Sequence, residues 1–258
     1  MLPTTLIGCS SKSYFTASTA TEWLDIVSAG LAEMPLRGEG VFLCVPFPLV
    51  TEAIRVLKPL NALVGTQDVS SFPSGPYTGE VSAELLSGLG SRFAMVGHPE
   101  RVKNNGEGPA DFASKSEAAA AFGIVPILVV GEPERGADPE QVIRPQLDAA
   151  FGRVDPRCPV VVAYEPTWAI GQAEPAPGEH VVGVVARIRE LLADMGRAGT
   201  RVLYGGSAGP GTFDGIARAG RAAGNPAGVP DGVFLGRAGV DPHGFLATVT
   251  EVRAATGS

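Results

Sequence analysis

Short unbroken apolar runs recur along the chain, and longer stretches with helical character separate them. The runs are TLIGC (5–9), VFLCV (41–45), ALVGT (62–66), FAMVG (93–97), VPILVV (125–130), VVVAY (160–164), RVLYG (201–205) and GVFLG (232–236). None alternates apolar with polar residues, which is the pattern of strands covered on both faces. Amphipathic or alanine-rich segments lie between them, among them 16–34, 111–122 and 181–195. Strands alternating with helices predict right-handed βαβ units and a parallel sheet. Eight such units in about 250 residues fit a closed (β/α)₈ barrel. An open doubly wound sheet is the competing architecture, but no G-x-G-x-x-G follows the first run. Nothing between the units reads as a linker, so residues 1–258 are expected to form a single barrel domain. The segment GNPAGVPDG (224–232) is expected to be a loop before the last strand.

Composition narrows the classes of function. The 258 residues are 45% hydrophobic and 18% charged, with a net charge of −7. No basic stripe is available to follow a phosphate backbone, so a nucleic-acid partner is not expected. Three cysteines, Cys9, Cys44 and Cys158, are widely spaced, and there are three histidines. That inventory predicts neither a disulfide framework nor a metal site. The segment MLPTTLIG has no basic flank and too short an apolar run for a secretory signal, and no stretch reaches membrane-spanning length. A reduced cytoplasmic protein without a membrane partner is the expectation.

The barrel reading makes the chemistry testable, because barrel active sites sit at the C-terminal ends of the strands. Lys12 follows the first strand, and His98 and Glu100 follow the fourth in GHPER. The sixth ends on Glu165, within VVVAYEPTWAIGQ (160–172). The seventh and eighth end in YGGSAG and FLGRAG. Each feature alone has a plain structural explanation: a solvated lysine, a helix-start histidine, a turn. A carboxylate closing an apolar strand is harder to dismiss, since burying it is costly. Together they suit proton abstraction beside a carbonyl. Glu165 supplies a base, His98 polarises the carbonyl, and Lys12 stabilises the developing negative charge. Backbone N–H groups of the two glycine-rich turns suit a phosphate. An aldose–ketose isomerase acting on a small sugar phosphate follows.

These segments resemble the triosephosphate isomerase family over nearly the whole chain. AYEPTWAIG is similar to the family's base strand and lid start, GHPER to its histidine loop and YGGS to its phosphate turn. The resemblance implies that Glu165, His98 and Lys12, with Glu100 beside them, form the catalytic group. It implies phosphate or substrate contacts from Ser10, Gly171, Ser207, Gly236 and Arg237. Pro166, Thr167, Trp168, Ala169 and Ile170 would belong to a closing lid. GTQDVSSFPSGPYTGEVS (65–82) resembles the long third loop that enters a partner subunit. Thr78 and Glu80 would then help build a homodimer, with Glu80 paired to Arg101 across the interface. The implied reaction interconverts dihydroxyacetone phosphate and glyceraldehyde 3-phosphate without a cofactor.

Several positions depart from the family pattern. Ser10-Ser11-Lys12 stands where the family has N-W-K, and Pro99 follows the histidine in place of serine. Glu174-Pro175-Ala176 replaces a K-T-A lid hinge, Arg237 replaces the second glycine of a G-G turn, and Val129 replaces a cysteine. The changes at Ser10, the hinge and Arg237 touch substrate or lid while sparing the proton chemistry. They raise an alternative substrate, a four-carbon ketose phosphate. A third reading is a sugar-phosphate-binding protein without turnover.

Overall fold

The computed structural model describes residues 2–169 and 175–257. Eight parallel strands close into a barrel in sequence order. They are β1 (Leu6–Ser10), β2 (Val41–Val45), β3 (Leu63–Thr66), β4 (Phe93–Val96), β5 (Val125–Val130), β6 (Val161–Tyr164), β7 (Arg201–Tyr204) and β8 (Gly232–Leu235). β1 closes the ring on β8, with Ile7 opposite Val233. The helices are α1 (Ala17–Ala32), α2 (Val50–Leu57), α3 (Ala83–Leu89), α4 (Pro99–Asn105), α5 (Pro109–Ala121), α6 (Pro139–Val142), α7 (Arg144–Phe151), α8 (Gly178–Asp194), α9 (Thr212–Ala222) and α10 (Pro242–Thr256). The expected (β/α)₈ barrel is therefore the fold.

The unbroken apolar runs are explained by two separate cores. Phe42, Phe93, Ile127, Val161 and Phe234 point inward and fill the barrel. Their sequence neighbours, such as Val41, Leu43 and Val162, point outward and pack under the helices. Most strand positions therefore meet apolar surface on one side or the other. The Phe42 ring lies 4.8 Å from Phe93 and 5.2 Å from Phe234, centroid to centroid. It reaches so far across the interior that a Cβ on Gly8 would sit 2.0 Å from its Cζ. Glycine in β1 is what admits the ring.

Local signals set the boundaries. Thr16 caps α1 through a capping box with Thr19. Pro99 and Pro109 occupy the first turns of α4 and α5, where no backbone donor is missed. The run FAMVG loses its last residue from β4 because Gly97 turns to φ 70°. Ser10 joins β1, one residue beyond the expected end. Within the expected loop 224–232, Pro226–Gly228 forms a single 3₁₀ turn. Among the described residues, no helix is long and apolar enough to cross a membrane.

Candidate active site

The parallel barrel delivers the ends of all eight strands to one mouth, and Lys12, His98, Glu100 and Glu165 meet there. Lys12 lies just past β1 with its backbone at φ 45°, a left-handed conformation rare for a side-chain-bearing residue. Gln67, past β3, holds it there. Its amide Nε2 donates to the Lys12 carbonyl at 2.9 Å and to the Ser11 hydroxyl at 3.1 Å. The Lys12 ammonium donates to Glu100 Oε1 at 2.7 Å. Burial alone would lift the Glu100 carboxyl, but the hydrogen bond and charge of Lys12 prevail and hold it below its ordinary range.

His98 is buried and caps α4. Its ring Nδ1 accepts the Glu100 backbone N–H at 3.1 Å, which leaves Nε2 as the protonated nitrogen. Burial, reinforced by the charge of Lys12, pushes the imidazole pKa down to about 4. At neutral pH the ring is an uncharged donor.

Glu165 follows β6, its N–H bonded to the Val130 carbonyl at 2.8 Å. The side chain lies against Gly205, the residue that follows β7. A Cβ on Gly205 would stand 2.6 Å from Glu165 Cγ and 2.7 Å from Oε1. Desolvation raises its pKa to about 7; Lys12 opposes the rise and Glu100 adds to it. A carboxylate tuned to neutrality can both take and return a proton near physiological pH.

The segment after Glu165 is tied down from behind. Glu132, fully buried after β5, accepts the Tyr164 hydroxyl at 2.8 Å, the Trp168 indole N–H at 2.9 Å and a His180 Nε2 contact at 2.7 Å. Thr167 adds two hydrogen bonds to the Glu132 carbonyl. On the far side, the Tyr204 hydroxyl accepts the Ala176 N–H at 3.1 Å, and Ser207, at φ 50°, donates through Oγ to the Ala169 carbonyl at 3.3 Å. Pro166, Thr167, Trp168 and Ala169 thus lie next to the mouth. Ile170, Gly171 and Glu174 lie outside the described residues. Beneath α4, Arg101 binds Asp68 at 2.7 Å and Glu107 at 2.6 Å, and Lys115 binds the same two carboxylates at 2.5 Å each.

The remaining candidates separate into two places. Ser10 is buried, and its hydroxyl accepts the Lys12 N–H at 3.4 Å. Gly236 stands at the mouth, where a Cβ would approach Lys12 Cε at 3.4 Å. Arg237 is exposed beside it. Thr78 and Glu80 lie on the exposed third loop, away from this group. The residues that sequence reasoning missed are Glu132, His180, Gln67 and Tyr204. Glu132 carried a usable signal: VPILVVGE ends an apolar strand on a carboxylate, as β6 does.

A closed (β/α)₈ barrel with a neutral histidine, a lysine and a near-neutral glutamate at its C-terminal mouth defines a class of proton-transfer enzymes. The sequence profile of triosephosphate isomerases matches residues 5–252. L-erythrulose-1-phosphate isomerase of Pectobacterium atrosepticum is 34% identical over 254 residues, covering 95% of this chain and 94% of that protein. Triosephosphate isomerase of Thermus thermophilus is 39% identical over 218 residues, covering 81% and 86%. The crystal structure of triosephosphate isomerase from Bartonella henselae superposes with a TM-score of 0.76 at 26% identity, over 98% of this chain and 100% of that one. The chain belongs to the triosephosphate isomerase family and is an isomerase of that kind. A neutral histidine facing a glutamate is the known arrangement of the family.

The two shifted groups act on stability in opposite directions. In the unfolded chain a glutamate releases its proton near 4.5, whereas Glu165 in the fold keeps it to about 7. Between these values the folded state binds more protons, so rising pH weakens the fold. His98 works the other way: its stability contribution is complete above 6.5 and is lost as pH falls toward about 4. Replacing Glu165→Gln should therefore stabilise the fold above neutrality. Urea unfolding should show the advantage over the parent absent below about pH 4.5, growing to about pH 7 and level beyond. An advantage independent of pH would contradict the desolvation of Glu165.

Proposed function

We propose that this protein interconverts dihydroxyacetone phosphate and glyceraldehyde 3-phosphate. The observation that carries this reading is the juxtaposition of a near-neutral Glu165, a neutral His98 and the Lys12 ammonium in one mouth. Glu165 removes the proton from the hydroxyl-bearing carbon beside the carbonyl. The electron pair of the broken C–H bond forms the C=C bond, and the carbonyl π pair moves onto oxygen to give an enediolate. His98, donating through Nε2, polarises that oxygen and passes a proton between the two oxygens. Lys12 stabilises the negative charge while it exists. Glu165 then returns its proton to the neighbouring carbon, so atoms and electrons balance within the substrate and no redox cofactor is required.

The phosphate is assigned to backbone N–H groups at Gly171, Ser207 and Gly236, with Arg237 at the rim. The lid, Pro166 to Ile170, excludes water and protects the enediolate from losing phosphate. The working form is a cytoplasmic homodimer. Its support is the exposed third loop, where Phe72 and Tyr77 stack at 4.4 Å with both rings open to solvent. Thr78 and Glu80 are the contacts, Glu80 meeting Arg101 of the second copy.

A four-carbon ketose phosphate is the second reading, and Ser10 favours it. A cavity of about 200 Å³ runs from Ser10, Lys12, Met95 and His98 past Glu100 to Asn104. The short serine leaves this end open, where the family's asparagine would reach in. The Pectobacterium relative named for erythrulose 1-phosphate supports the same substrate class. That substrate is converted by the same proton transfers with a hydroxymethyl group added at the far carbon.

Two measurements follow. Isomerisation of glyceraldehyde 3-phosphate, coupled to glycerophosphate dehydrogenase, should be fast and should fall by about 10²–10⁴-fold in Glu165→Gln. Weak turnover beside rapid conversion of erythrulose 1-phosphate would replace the triose reading with the four-carbon one. No turnover of either would leave a binding protein. Gly205→Ala should lower turnover by roughly 10²-fold, because the added methyl displaces the base by a fraction of its length. Unchanged turnover in that variant would remove the packing argument for Glu165.

A further inference from the structure

A sizeable cavity opens at the opposite end of the barrel from Lys12, His98 and Glu165. It measures about 560 Å³ and is lined by Leu2, Arg92, Arg157, Cys158, Arg197 and Arg201, among others. Arg92 immediately precedes β4 and Arg201 opens β7, while Arg157 and Cys158 lie in the approach to β6. Four arginines therefore meet in a chain of net charge −7.

Their partners explain why the cluster is unusual. Arg157 is paired with Asp155 at 2.6 Å and projects into solvent. The other three, among the described residues, have no carboxylate within ion-pairing distance. Arg197 is buried and donates to the carbonyls of Cys158, Phe151 and Val154. Arg92 donates from Nη1 to the Gly123 carbonyl at 2.8 Å, and Arg201 from Nε to the Pro3 carbonyl at 2.9 Å. These carbonyl bonds orient each guanidinium without neutralising it. Each fork has five donors, so most of those on Arg92 and Arg201 remain for an anion. Like charges gathered in one concavity repel one another, and an anion between them removes that repulsion.

We infer that this cavity at the N-terminal face of the barrel binds a small phosphorylated metabolite. The paired planar forks suit phosphate oxygens, and the volume falls in the range of small-molecule sites. The site is separate from the substrate mouth, so it stands or falls independently of the isomerase reading.

Cys158 provides a reporter. Cys9 and Cys44 are fully buried, whereas Cys158 lines the cavity and is half-buried. Alkylation of the native protein by the neutral reagent iodoacetamide should slow several-fold as pyrophosphate, the probe, is raised, and the effect should saturate. Potassium chloride at matched ionic strength should leave the rate unchanged. Protection should persist in Lys12→Met, which disables the mouth, and vanish in Arg92→Gln/Arg201→Gln. Equal slowing by chloride, no slowing at all, or loss of protection in Lys12→Met would each overturn the site. Full protection surviving in the double glutamine variant would overturn it as well. The comparison of pyrophosphate with chloride uses the unaltered chain, so it decides the matter even where the double variant fails to fold.

Discussion

A carboxylate can be packed against a neighbouring strand only where that strand offers no side chain, and this contact between Glu165 and Gly205 sets the terms for the mouth. It strips water from the glutamate without giving it a fixed ion pair. The proton affinity then rises to neutrality, where transfer in either direction costs little. Glycine is required because a methyl group would already overlap the carboxylate. The seventh strand must in turn stay in register with the sixth, with Tyr164 opposite Tyr204. The barrel core holds that register, so the interior aromatics and the chemistry at the mouth belong to one construction.

The surrounding charges are arranged around this dry glutamate with little redundancy. Lys12 is the cation of the mouth, held by a strained backbone and by Glu100. His98 must stay neutral to donate a proton without adding a second positive charge, and burial next to Lys12 keeps it so. Glu132 is the buried counterpart of Glu165. It is spent on three donors that fix Tyr164, Trp168 and His180, so it orients the segment that follows Glu165 and takes no position at the mouth. Two carboxylates ending adjacent strands thus have opposite roles, decided by whether donors meet them.

Much of this was legible in the sequence, for physical reasons that can be named. The eight strands were visible because barrel strands are buried on both faces, which leaves continuous apolar runs. Strand ends slipped by a residue where a turn decided the matter, as at Gly97 and Ser10. Glu165 stood out because a carboxylate closing an apolar strand is costly to bury, and Lys12 and His98 gained weight from falling at the same end of the barrel. Glu132 carried the same mark, yet its partners Trp168 and His180 lie far along the chain, so its role as their shared acceptor was not visible locally. The Asp68–Arg101–Glu107–Lys115 cluster and the Gln67 brace on Lys12 were hidden for the same reason. The arginines at the other end of the barrel are spread between residues 92 and 201, and only closure of the sheet gathers them.

The central claim is that Glu165 is desolvated enough to titrate near neutrality. Carbon-13 NMR of the protein labelled at glutamate side-chain carboxyls, followed against pH, tests it directly. The resonance absent from Glu165→Gln identifies the group. The account predicts a midpoint at about 7 for that resonance. A midpoint near 4.5, the ordinary glutamate value, would contradict it and remove the support for Glu165 as a base.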